Sequence, residues 1–298
     1  MLPASIPHSL LIGLGPSDST VLDVATSPMS ASTGAATAGV DLLTVRLLTV
    51  SGEAVTRRVV RKRLRPLTAG RHAQASRAPN HWAYWRREAL AYESGLLPRG
   101  PGLTAPDLLT VDSDTIYTSE VVGEREDAAV AAERLGRWQG VTRVPDISWL
   151  ARHQLAQRVA VTTLDWSGLE ADPRLVALWD RRDEMLAELE TVPVTVVHGD
   201  YSAGNLFAVD GGTTVAIDWA TFGVGPVGAD LASLTLSTGT DQLDAYASGL
   251  DGVISRSDIE RGYRVALGLA HASRTHWALA QGRPTDPTLT DLVLGIVS

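Results

Sequence analysis

The chain has 298 residues, of which 44% are hydrophobic and 20% charged, the balance of a folded protein of two lobes or two modest domains, and this excludes large-scale disorder. A formal net charge of -8 disfavours nucleic acid and anionic membrane surfaces as partners and leans slightly towards a cationic small molecule. The absence of cysteine excludes disulfides, thiolate metal sites and a cysteine nucleophile, so stability must come from the core.

Within Met1 to Gly15 the apolar stretch Leu10 to Leu14 follows no basic residue and precedes no clear cleavage site, which predicts a strand or an ordered arm and not a signal peptide. No apolar run approaches the roughly 18 residues needed to span a bilayer, so a cytoplasmic location without membrane partners is expected. Thr26 to Gly39 is a stretch of small residues that suits a pliable loop. Val40 to Leu64 alternates and is rich in Val, Leu and Thr, broken at Ser51-Gly52-Glu53, which predicts two antiparallel strands and a tight turn. Trp82 to Leu96 has helical composition and stops at Gly95 and Pro98, and Asp107 to Val122 returns to strand character. Beyond Gly123 the spacing of Leu, Val, Ala and Trp turns helical over Glu124 to Gln139, Ser148 to Ala160 and Asp172 to Glu190. The last of these opens with an acidic cap, Asp172, and a proline, Pro173, at the first helical position. The chain thus divides into a β-rich lobe over residues 1-120 and a larger helical lobe over residues 121-298.

The chemistry lies after the β-branched run Val194 to Val197, in His198-Gly199-Asp200-Tyr201-Ser202-Ala203-Gly204-Asn205. Leu206 to Val209 reads as a strand, Asp210-Gly211-Gly212 as a turn, and Thr213 to Ile217 as the returning strand, which ends at Asp218. A hairpin folded there brings Asn205 and Asp218 side by side, two hard oxygen donors suited to Mg²⁺. Asp200 precedes the same hairpin by a short loop. The spacing His-x-Asp-x-x-x-x-Asn is that of the kinase catalytic loop, in which the aspartate takes the proton of the attacking hydroxyl and the asparagine holds a metal. Asp, Asn and Gly also favour turns on their own account, but four matching positions at fixed spacing outweigh that plainer explanation.

The run HGDYSAGN, the hairpin and the following IDW resemble the aminoglycoside phosphotransferase and choline kinase group of the protein-kinase-like superfamily. The resemblance implies an α+β, bilobal protein-kinase-like fold with ATP or GTP and Mg²⁺ between the lobes. It implies Asp200 as catalytic base, Asn205 and Asp218 as metal ligands, Trp219 in place of the phenylalanine of Asp-Phe-Gly, and a small-molecule hydroxyl as acceptor. His198 is expected to brace the loop, and Asp230, in a downstream Asp-Leu-Ala helix start, to cap that helix and brace the catalytic loop.

A kinase site also needs a cation on the phosphates, held by a helical carboxylate. Lys62 is the chain's single lysine among 26 basic residues, which singles out a compact ammonium there. Glu88 is the candidate partner, although Arg86 and Arg87 beside it leave the register open. The phosphate loop departs from the glycine-rich pattern: Ser32, Thr33 and Gly34 are its candidates, with one glycine where three are usual. By the resemblance, the backbone of Glu120 to Val122 would meet the nucleotide base. His271 and His276, five apart, are read as ordinary histidines, Trp166, Trp179 and Trp277 as core, and Asp165, Glu170 and Asp172 as a solvated loop. The oligomeric state is open between monomer and homodimer. Two other readings stand beside the small-molecule kinase: a silent nucleotide-binding module, and a protein kinase, which the early Gly225-Pro226 turn disfavours.

Overall fold

The computed structural model describes residues 6-14, 19-29, 36-209 and 212-298. Ser32, Thr33 and Gly34 of the expected phosphate loop, and Asp210 and Gly211 of the hairpin turn, lie outside the described residues.

The chain begins with a helix, α1 (His8–Leu14), where the sequence reading expected a strand or arm. Leu10 and Leu14, four apart, are both buried beside Leu43, Leu47 and Tyr117. A five-residue apolar run fits strand or helix equally, and the contact that decides lies nearly a hundred residues away. A methyl group on Gly13 would meet Leu109 O at 2.8 Å, so glycine permits this close approach.

A five-stranded antiparallel sheet follows, in the order β1-β2-β3-β6-β5. Its strands are β1 (Thr20–Pro28), β2 (Thr37–Leu48), β3 (Ala54–Leu64), β5 (Leu108–Asp112) and β6 (Thr115–Ser119). The expected hairpin of Val40 to Leu64 is present, with Leu48 opposite Ala54 at its turn. Of the expected loop from Thr26 to Gly39, residues 26-28 end β1 and residues 37-39 begin β2. β1 is a largely exposed edge strand without the alternation that a buried face imposes, so its sequence carries no strand signal.

Alternation on β3 sorts its basic run to two faces. Arg61 and Arg63 both reach Asp41, at 2.9 and 3.2 Å, while Lys62 points the other way, towards the helical body. Between β3 and β5 lie α2 (Arg87–Ser94) and the short β4 (Leu103–Thr104). The helix expected from Trp82 starts only at Arg87; turns occupy the residues before it, and Gly95, at φ 71°, ends it in the left-handed conformation.

The rest of the chain forms the helical body. Its first elements are β7 (Glu124–Arg125), α3 (Ala128–Val141), β8 (Ala151–Arg152), α4 (Gln154–Ala160), α5 (Pro173–Asp180) and α6 (Arg182–Leu189). β9 (Val194–Val197), β10 (Leu206–Val209), β11 (Thr213–Ala216) and β12 (Gly223–Pro226) come next. α7 (Ala229–Thr238), α8 (Leu243–Leu250), α9 (Arg256–Ala280) and α10 (Pro287–Val297) complete it. The three expected helices are shorter than read: the first two begin in extended segments, and the third is two helices that break at Arg181. Asp172 caps α5 as its residue type demands, its carboxylate accepting from the Arg174 amide at 2.8 Å.

One large core joins the sheet to the body, running from Leu64 and Ile116 through Tyr92 and Trp219 to Leu231, Tyr263 and Leu267. Among the described residues no helix is long and apolar enough to cross a membrane.

Candidate active site

β9 delivers the chain to His198, and every polar group there is fixed by a partner. Asp230, in the first turn of α7, accepts the His198 amide at 2.7 Å and the Gly199 amide at 2.8 Å. Burial pushes the Asp230 carboxyl up to about 7, against those two amide bonds, which favour the charged form. His198 is fully buried. Its Nε2 donates to Ile217 O at 3.0 Å and its Nδ1 accepts the Asp200 amide at 3.2 Å, which selects the neutral tautomer. Burial lowers its pKa, although Asp200 and Asp218 pull the other way. Gly199 sits at φ 82°, and a methyl group there would meet Thr221 O at 2.6 Å, so only glycine fits between the loop and the residues before β12.

Asp200 therefore leaves a rigid bend. Asn205 faces it: the side-chain amide donates to Asp200 O at 2.9 Å and to Asp200 Oδ2 at 3.3 Å, which leaves the amide oxygen turned elsewhere. Arg125 donates to the carbonyls of Ala203 and Gly204, tying the same turn to β7. β10 and β11 pair from Leu206↔Ala216 to Val209↔Thr213, and the Ile217 amide donates to Asn205 O at 2.9 Å. The two ends of the hairpin thus stand together, with Asp218 next after the clamp.

Asp218 adopts φ 64°, a left-handed conformation that an aspartate tolerates and most side chains do not. From there Oδ1 accepts Lys62 Nζ at 2.6 Å, while Glu88 Oε2 stands 2.5 Å from the same ammonium. Burial disfavours the Lys62 charge, but the two carboxylates outweigh it and hold its pKa above the ordinary lysine value. Burial raises Glu88, and Lys62 opposes that rise. Burial likewise works against the Asp218 charge, yet Lys62 keeps its pKa below the usual carboxylate value. The register left open by Arg86 and Arg87 is resolved: Arg87 is fully buried and donates to the carbonyls of Trp149, Trp82, Pro79 and His81 at 2.6 to 3.0 Å. Trp219 packs its ring on His198 at 4.3 Å between centroids and donates Nε1–H to Ala216 O.

The donor set suits a magnesium ion carried by a nucleotide. Among the described residues no three carboxylate or imidazole side chains form a metal cage. A carboxylate and an amide oxygen at one hairpin mouth leave most coordination positions to phosphate and water, which is Mg²⁺ chemistry. Glu120 and Val122 lie in the irregular segment between β6 and β7. The Glu120 amide donates to Arg58 O and its carboxylate pairs with the Arg58 guanidinium, while Val122 is 75% exposed.

A cavity of about 480 Å³ opens beside Asp200, between the sheet side and helices α4 and α9. Its wall holds Trp82, with the Arg158 guanidinium 4.0 Å from the ring centroid, and also Arg71, Trp179 and Arg274. Nothing in the sequence marks these arginines, three of 25: Arg71 lies in a turn, and the helices that carry Arg158 and Arg274 show only the usual apolar spacing. His271 bonds Thr290, and His276 bonds Asp165 O. Trp179 is core, but Trp277 is 55% exposed under Arg283, a departure from the core position expected of it.

A family model described as the phosphotransferase enzyme family (APH) matches residues 37-264. No curated protein matches the chain. Among solved structures, a macrolide 2'-phosphotransferase type I is 16% identical, covers 98% of this chain and 95% of its own, and has a TM-score of 0.53. A choline/ethanolamine kinase family protein from Mesorhizobium loti is 15% identical, with 91% and 86% covered and a TM-score of 0.53. A choline kinase from Cryptosporidium parvum Iowa II is 10% identical, with 92% and 88% covered and a TM-score of 0.52. These likenesses establish a protein-kinase-like fold, and the family match over more than half of the sequence places the chain in the phosphotransferase enzyme family.

Proposed function

We propose that the protein transfers the γ-phosphoryl group of ATP or GTP to a hydroxyl of a small molecule, either a metabolite or a hydroxylated antibiotic. The observation that carries this reading is Lys62 held between Glu88 and Asp218, with Asp200 and Asn205 at the mouth of the same hairpin. Residues 1-120 would then serve as the nucleotide lobe and residues 121-298 as the acceptor lobe.

In this reading Lys62 neutralises the phosphates of the nucleotide, and Glu88 keeps the ammonium in place. Asn205 and Asp218 would hold Mg²⁺, which when bound neutralises charge on the phosphate oxygens. The backbone from Glu120 to Val122 would meet the base. Asp200 accepts the proton of the acceptor hydroxyl as its oxygen attacks the γ-phosphorus in line and the bond to the β-phosphate oxygen breaks. The Asn205 amide bonds that carboxylate and the His198 ring holds the Asp200 backbone, so positioning and charge neutralisation supply most of the rate. Ser32, Thr33 and Gly34 are proposed at the phosphates on the sequence resemblance alone.

The test is ADP release from Mg·ATP over a panel of hydroxylated metabolites and antibiotics, with the Asp200→Ala variant alongside. Acceptor-dependent release that Asp200→Ala abolishes, with nucleotide affinity by calorimetry kept, is the expected result. Full turnover in that variant would remove Asp200 from the role of base.

A further inference from the structure

The charges that line the cavity oppose the lean of the whole chain. Three carboxylates reach it: Asp218 is held by Lys62, Asp230 accepts two backbone amides, and Asp200, which accepts the Asn205 amide at Oδ2, keeps Oδ1 for an acceptor. Against them stand Arg71, Arg158 and Arg274, and among the described residues none of the three is within ion-pairing distance of a carboxylate. His72, also in the lining, is neutral near pH 7, because burial and the neighbouring cations hold it down to about 4. The three arginines come from three separate segments: the turn before α2, the last turn of α4 and the last third of α9. Their convergence on one cavity is therefore a product of the fold.

All three residues are solvent-exposed and line the open side of the cavity, where a ligand can reach them. Surrounding protein lowers Arg158 to about 10; Asp200 raises it, whereas Arg274 and Arg71 lower it further. Burial lowers Arg274 in the same way, and again Asp200 is the charge that opposes the shift. Like charges gathered without a counterion carry a cost that an incoming anion would relieve. Arg158 is also held in place, its plane over Trp82, and Trp82 is fixed in turn by the buried Arg87 bonding its carbonyl. A preset guanidinium on an aromatic face is built to receive an oxyanion.

We propose that the acceptor is an anionic hydroxylated small molecule, whose oxyanion group is held by Arg158 and Arg274 while its hydroxyl reaches Asp200. Arg71, which also lines the cavity, adds its charge near Arg158. The inference rests on the phosphotransfer reading above and names the acceptor class for it. It reverses the slight preference for a cationic acceptor that net charge suggested.

The experiment compares matched acceptors by ADP release: glycerol with glycerate, glucose with gluconate and glucose 6-phosphate, and choline and kanamycin as cationic members. The anionic member of a pair is expected to be favoured at least tenfold in kcat/KM, with the carboxylate and phosphate arms separating the two sources of the oxyanion. Arg158→Gln and Arg274→Gln should raise the acceptor KM by about ten- to a hundredfold, the scale of one charge-assisted hydrogen bond. The KM for ATP should stay fixed, and Arg274→Lys should recover part of the loss. Preference for the neutral or cationic member overturns the inference. So does a loss confined to kcat, which would assign the arginines to the transferring phosphoryl group.

If no member of the panel turns over, malonate and inorganic phosphate are titrated calorimetrically into enzyme saturated with Mg·AMP-PNP. Binding lost in both arginine variants, with melting temperatures unchanged, supports the anion site. Absent binding, or equal binding in all forms, rejects it. Failure of Mg·AMP-PNP itself to bind would count against the phosphotransfer reading and leave the anion titration of the free enzyme to stand on its own.

Discussion

The hairpin around His198 to Asp218 and the cavity beside it handle charge in opposite ways. Around His198 to Asp218 almost every donor has an acceptor within the chain: Asp230 takes two amides, His198 bridges to Ile217, Asn205 bonds Asp200, and Lys62 joins two carboxylates. In the cavity, Arg158 and Arg274 have no carboxylate partner among the described residues. The first region is complete before any ligand arrives, as electrostatic preorganisation requires. The second is completed by what binds. Substitutions in the hairpin should accordingly harm every acceptor alike, and substitutions in the cavity should discriminate among acceptors.

The largest effect should come from Asp200→Asn, which keeps the shape but cannot take a proton. A fall in kcat of about 10²- to 10⁴-fold is expected, the usual worth of a general base, with nucleotide affinity kept. Single-turnover measurements over the acceptor panel check it. A loss that depends on the acceptor would blur the contrast between the two regions.

Lys62→Arg comes next. The ammonium lies 2.5 Å from Glu88 and 2.6 Å from Asp218, a gap that a longer planar fork cannot enter without moving one carboxylate. We expect kcat/KM to fall about a hundredfold for all acceptors, the scale of one preorganised contact. Unchanged turnover would show that charge alone, and not its placement, matters there. Gly199→Ala tests the loop's backbone instead: its φ of 82° and the approach of Thr221 O should together cost at least about 2 kcal/mol in chemical denaturation. A loss near zero would mean that the loop shifts freely.

The sequence disclosed the hairpin and hid the cavity, and the two regions explain why. A hairpin is local: the residues from Leu206 to Ala216 determine their own pairing, and the turn residues carry the functional atoms at its ends. Lys62 was legible because it is the chain's one lysine, and β-alternation puts it on the cleft face. Arg158 and Arg274 lie more than a hundred positions apart and meet only through the packing of α4 and α9 around the site. The same non-locality misled the reading of Leu10 to Leu14, whose helix is settled by packing on distant strands, and of the edge strand β1. Net charge has the same weakness as a guide to the acceptor, since it averages over a surface and says nothing of a cavity wall.

The smallest effect expected is in the dependence of stability on pH, and it can be divided between the two regions. His198 on the hairpin side and His72 on the cavity side both have folded pKa values below the ordinary 6.5, that of His72 near 4, with burial the first cause in each. For a base whose folded pKa is depressed, the unfolded chain binds the proton first. The stability each contributes is therefore complete above about pH 6.5 and is lost as the pH falls towards the folded value. Asp230, whose folded value near 7 lies above its unfolded one, works in the opposite sense, so the readout is a difference between proteins: from pH 7 to pH 4.5 the wild type should lose more melting temperature, or gain less, than His72→Gln. His72 lies edge-on to Trp82, 4.9 Å between centroids, so its protonation adds a cation to a wall that already holds three arginines. Malonate at saturating concentration should then offset the decline in the wild type and do less in Arg274→Gln, because an anion in the cavity relieves that repulsion. An equal offset in both proteins would take Arg274 out of the anion site and count against the charge argument.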